Sequence, residues 1–125
     1  MSSSSATHQA DGPNVEATLT SLARRLQEEA SVAPGDCAVF HLTGPGGGSY
    51  CLEHAEGEVR IADPHRLGPA APQVEVIGEA AVVCAILNGE RDARRQFFKG
   101  GLRVRGNLRY LSDRAMEVGV LKNPL

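Results

Sequence analysis

Cys37, His41, Cys51, His54 and His65 place three imidazoles and two thiols, the side chains that hold zinc and other borderline cations, in one stretch of chain. Their spacings do not form the paired pattern of a zinc site, and their meeting depends on strand register, so no metal is expected. Cys84 lies in no nucleophile motif, and no serine occupies a Gly-x-Ser-x-Gly elbow, so covalent catalysis has no support. Gly44-Pro45-Gly46-Gly47-Gly48 lacks the Lys-Ser/Thr that completes a phosphate loop and reads as a hairpin connection. Neither an enzyme nor a bound cofactor is expected.

Charge is more informative. The 125 residues carry 13 Lys plus Arg against 15 Asp plus Glu, net −2, which argues against nucleic acid as a partner. Residues 1–89 hold four Arg and eleven acids, whereas residues 90–125 hold nine Lys or Arg and four acids. Arg91, Arg94, Arg95, Lys99, Arg103 and Arg105 concentrate this excess in one stretch. Such a run is either a solvated face or a docking surface for lipid headgroups or an acidic protein. Three cysteines without a C-x-x-C pair suggest reduced, buried, inert thiols. No run is apolar enough to cross a bilayer and no export signal is legible, so the expected location is cytoplasmic.

The elements that must position these residues follow from period and punctuation. Residues 1–14 are Ser-rich with almost no apolar side chains and predict a disordered, dispensable tail; residues 15–125 form the domain. Val15, Leu19, Leu22, Leu26 and Ala30 recur at helical spacing after Asn14, an N-cap type, until Pro34-Gly35. Residues 37–42, 49–54 and 58–62 read as three strands of an antiparallel meander, with Tyr50, Leu52 and His54 on one face. The Pro-rich stretch 63–72 is an extended connection, and residues 74–77 a fourth strand. Ala content favours a short buried helix over residues 80–87. A second helix over 92–99 stops at Gly100-Gly101, Leu102 and Val104 alternate with Arg103 and Arg105 as a fifth strand, and Leu108, Leu111, Ala115 and Val118 mark a last amphipathic helix.

Asn88-Gly89-Glu90-Arg91-Asp92-Ala93-Arg94-Arg95-Gln96-Phe97-Phe98-Lys99-Gly100-Gly101-Leu102-Arg103-Val104-Arg105-Gly106-Asn107-Leu108 resembles the C-terminal signature of sterol carrier protein type 2 domains. In both, an Asp precedes a short helix ending in Phe, then come Gly, an alternating strand, and Gly-Asn opening a last helix. With the upstream element order, the resemblance spans roughly residues 15–118. It implies a single α/β domain of the α+β type, with a twisted, mainly antiparallel sheet of about five strands covered by helices. It also implies an apolar tunnel for a sterol, fatty acyl chain or similar lipid, and no bond chemistry.

On that reading Phe97, Phe98, Leu102, Val104, Leu108, Leu111 and Met116 line a cavity, or else fill a solid core, and Arg103, Arg105 and Arg109 stand at its mouth to meet an anionic membrane surface or an acidic protein. The cavity is expected between the sheet and the last two helices, at a few hundred cubic ångströms, as ligand pockets are. The expected function is non-enzymatic binding of a lipid or other hydrophobic small molecule. The alternatives are a protein–protein interaction module that keeps the fold without an open cavity, and an accessory subunit that hands a hydrophobic substrate to an enzyme.

Overall fold

The structure, a computed structural model, describes residues 12–64 and 71–125. Helix α1 (Val15–Glu29) leads into β1 (Cys37–Thr43), β2 (Gly48–Ala55) and β3 (Glu58–Ala62). Then follow β4 (Val74–Glu79), α2 (Ala80–Leu87), α3 (Ala93–Lys99), β5 (Leu102–Gly106) and α4 (Leu108–Glu117). Caps fix the helix starts. The side chains of Asn14, Asp92 and Asn107 accept backbone N–H bonds from Ala17, Arg95 and Tyr110, satisfying donors that a first turn leaves unpaired. Gly100, left-handed at φ 86°, ends α3.

The sheet has the order β3-β2-β1-β4-β5. It is mainly antiparallel, as expected, with one parallel pairing: β4 joins the edge of β1 away from β2 and runs parallel to it, and the other three pairings are antiparallel. Side-chain alternation sorts the strands into two faces. Ala38, Phe40, Leu42, Tyr50, Leu52, Val59, Ile61, Val76 and Leu102 face the helices and join Leu19, Leu22, Val83 and Ile86 in one core. Cys37, Val39 and Cys51 form a smaller cluster on the other face, packed against Ala62. Their thiols are free, with the two Sγ atoms 2.8 Å apart, and burial raises the pKa of each.

Arg25 ties the helical layer together. Its guanidinium donates to the carbonyls of Leu87 and Val118, at the C-terminal ends of α2 and α4. Carbonyls left unpaired at a helix end find a charged donor there.

Of the stretch assigned to the tail, residues 1–11 lie outside the described residues, as do His65 and most of the Pro-rich connection. Gly12, Pro13 and Asn14 belong to the domain: Gly12 approaches Pro45 and Pro13 approaches Gly46 in the β1–β2 turn, while Asn14 caps α1.

Candidate functional site

Between the inner sheet face and the helices lies a cavity of about 110 Å³. Leu22 and Leu26 of α1, Val83 and Ile86 of α2, Phe40 and Val76 of the sheet, and Leu111 and Ala115 of α4 form its walls, and Val120, Leu121 and Leu125 contribute from the chain beyond α4. The volume corrects the expectation of a few hundred cubic ångströms. The walls come from the sheet, as expected, but on the helical side from α1 and α2 as well as α4.

Of the seven residues singled out in the sequence, the structure brings Leu102 and Leu111 into the lining. Phe97 and Val104 border a separate shallow hollow shared with His41, Ile77, Arg103 and Arg105. Phe98 (66% exposed), Leu108 (37%) and Met116 (38%) point to solvent, away from the cavity. The helical stripe could not distinguish them, since every apolar residue of a short helix falls near one face or its margins. Arg103 and Arg105 stand on the outer face of β5 opposite Ile77 and Glu75. Arg109 extends from α4 and is 92% exposed, with Nε 4.0 Å from Asp113. None of the three arginines borders the cavity.

One end of the cavity is polar. Asp36 and His54 are cross-strand neighbours just beyond the Cys37–Glu53 pair: the His54 N–H donates to the Asp36 carbonyl, and the Gly35 N–H to that of His54. Both occupy inward positions, in the series 36, 38, 40, 42 and 50, 52, 54, where the alternation otherwise places apolar side chains or Tyr50. Tyr110 donates its hydroxyl proton to Asp36 Oδ2 at 2.9 Å. The Ala33 N–H reaches the same oxygen at 3.0 Å, and Gln73 Nε2 donates to Oδ1 at 3.1 Å. Burial, and then the hydrogen bond to Asp36 and its negative charge, push the Tyr110 pKa well above the ordinary tyrosine value.

Arg114 lies 5.1 Å from the Tyr110 ring and donates to the Ser31 carbonyl at 2.6 Å, while Glu117 balances its charge at 2.7 Å from Nε and accepts the Ser31 N–H. Among the described residues, His54 Nδ1 is buried without a hydrogen-bond partner. Asp36, Tyr110 and Arg114 were not picked out as site residues from the sequence, and His54 was weighed only as a metal ligand. Asp36 and His54 were legible only through register, as polar residues at inward positions, and Tyr110 and Arg114 only through the docking of α4.

Among the described residues no group of three His, Cys, Asp or Glu is placed to hold a metal ion. No helix among them is long and apolar enough to cross a membrane.

A mixed five-stranded sheet with helices on one face and an apolar cavity beneath them defines a sterol-carrier-like, lipid-binding fold. Residues 17–114 match the model of the SCP-2 sterol transfer family, and the chain belongs to that family. Solved structures agree on the fold. Sterol carrier protein 2 of Aedes aegypti, in complex with the C16 fatty acid palmitate, aligns with a TM-score of 0.62 at 15% identity, covering 88% of this chain and 98% of that one. Sterol carrier protein 2 of Yarrowia lipolytica in its apo form aligns with a TM-score of 0.53 at 20% identity, covering 88% and 85%. No curated protein matches the sequence.

Proposed function

We propose that the protein is a non-enzymatic cytoplasmic carrier that holds the apolar part of a lipid in the cavity between the inner sheet face and the helices. The observation that carries this reading is the cavity itself: apolar walls from every layer, with polar side chains gathered at one end. Burying a hydrocarbon chain there removes apolar surface from water at about 25 cal/mol per Å², and the lining offers no activated nucleophile to do more. Family membership and the palmitate complex of the Aedes aegypti relative support the ligand class.

At about 110 Å³ the cavity is smaller than the ~300–1,000 Å³ of typical ligand pockets, so a long chain must lift part of the cover. The segment that moves is α4 with the residues after it. It lies outside the sheet's hydrogen-bond ladder and is held to the rest of the chain through Tyr110, Arg114 and Arg25. Loading from an anionic membrane surface belongs to the same proposal, with Arg103, Arg105 and Arg109 as exposed cations that meet the headgroups.

Native mass spectrometry of the purified full chain, and titration with a neutral apolar fluorophore such as N-phenyl-1-naphthylamine, test the carrier reading. Co-purified lipid or saturable fluorophore binding is expected. Absence of both overturns it in favour of an interaction module without an open cavity.

A further inference from the structure

The polar end of the cavity has a specific chemistry. Asp36 Oδ2 accepts two hydrogen bonds, from Ala33 and Tyr110, whereas Oδ1 accepts one, from Gln73. A carboxylate offers about four acceptor sites in all, so Oδ1 keeps one free. Across the strand pair, where the two backbones are hydrogen-bonded, His54 Nδ1 is buried with no partner among the described residues. Leaving a buried ring nitrogen unpaired costs free energy that a ligand atom can recover.

The charge of the nearby guanidinium is already balanced, with Arg114 Nε 2.7 Å from Glu117 Oε1 and Nη1 donating to the Ser31 carbonyl. Glu53, also at this end, has its carboxylate 3.7 Å from Arg60. Among the described residues, the groups at this end left without a hydrogen bond are thus one lone pair on the Asp36 carboxylate, His54 Nδ1, and Arg114 Nε, the last with its charge balanced by Glu117 Oε1 at 2.7 Å.

We propose that Asp36, His54 and Tyr110 form a headgroup site for an uncharged hydroxyl, so that this chain selects lipids bearing an alcohol over fatty acids. The proposal rests on the cavity being the lipid site. A hydroxyl donates its proton to Asp36 Oδ1 and accepts one from His54 in the tautomer protonated at Nδ1, meeting these two groups at once. Tyr110 keeps Asp36 aimed at the cavity by occupying the other oxygen. A fatty-acid carboxylate has no proton to donate at neutral pH, and it sets a second negative charge against Asp36 in a water-poor pocket. That repulsion is what rejects it. The palmitate named for the Aedes aegypti relative is therefore a ligand on which this chain parts from its fold neighbour.

The experiment is displacement of N-phenyl-1-naphthylamine from the full chain by hexadecan-1-ol and by palmitate, which share a chain length and differ only at the head. The alcohol is expected to bind at least about tenfold more tightly, since sites built to hydrogen-bond a hydroxyl discriminate strongly. Asp36→Asn should raise the affinity for palmitate and narrow the ratio. Should that variant fail to fold, His54→Leu decides the matter. It removes no existing hydrogen bond of the side chain, and should weaken the alcohol about tenfold relative to the fluorophore and palmitate measured on the same variant. Equal or tighter binding of palmitate, a ratio that neither variant changes, or displacement by neither lipid while the fluorophore binds, overturns the headgroup site alone. Failure of the fluorophore and both lipids to bind overturns the cavity reading and this site with it.

Discussion

Gly106 stands at the step from β5 to α4 with φ +93°, and a methyl built there would lie 2.7 Å from the Gln73 carbonyl oxygen and 3.2 Å from Val74 Cα. Backbone strain and a backbone clash therefore coincide. Gly89 has a similar φ of +81° with nothing in its way, so the two positions separate the effects. Gly89→Ala is expected to cost ~1–2 kcal/mol, the left-handed penalty alone, and Gly106→Ala clearly more, read from urea midpoints. At the start of the fold, Asn14→Ala should cost ~1 kcal/mol by uncapping α1. A truncation that begins at Val15 should lose at least as much as one that keeps Asn14.

Tyr110 adds a pH signature. Its folded pKa lies above the ordinary value of 10.0, so the folded state holds its proton where the unfolded state has released it. The stabilisation is complete below pH 10 and is lost as pH rises above it. Comparing urea midpoints at pH 8 and pH 11, Tyr110→Phe should show a smaller alkaline fall than the parent; an equal fall removes Tyr110 as the source.

Helix α4 is the element on which the carrier reading turns. Ala115 sits on its inward side and lines the cavity, so Ala115→Leu places added carbons in empty space. Stability should stay level or rise, since the void is filled without displacing neighbours, while the fluorophore should lose most of its affinity. Unchanged binding would show that the probe sits elsewhere.

Much at this scale was legible in the sequence: Asn14 announced α1, Gly100 ended α3, and the alternation of residues 50–54 put Tyr50, Leu52 and His54 on one face. The direction of β4 was not, because a period of two tells which side chains share a face and not which neighbour a strand joins. The polar end was hidden for the same reason. Asp36 and His54 are eighteen positions apart and meet only once β1 and β2 pair in this register.

For the molecule as a whole, the acidic first part and basic last part of the chain place Arg103 and Arg109 in solvent, away from the cavity walls. If they meet a membrane, sedimentation with anionic vesicles should exceed that with neutral ones at low salt and decline toward physiological ionic strength. Arg103→Glu with Arg109→Glu should reduce it further with stability within about 0.5 kcal/mol of the parent. Arg105 is left in place because Glu75 Oε1 lies 3.6 Å away and a new acid would repel it. Equal sedimentation with both vesicle types would mark the basic residues as a solvated face.

The parallel contact between β1 and β4 also orders events in time. Strands β1 to β3 pair with close sequence neighbours, but β1 must wait for β4, and the Tyr110–Asp36 bond joins residues 74 positions apart. Until β4 arrives, β1 offers a bare edge to any other extended chain, so the interval between the meander and the later strand is when a nascent chain is most exposed to mispairing. The bond to Asp36, with those of Arg25 to Val118 and Arg114 to Ser31 across 93 and 83 positions, is expected to close late, after most of the loop entropy has been spent. In a chevron measurement, Tyr110→Phe should speed unfolding and leave the refolding limb almost unmoved.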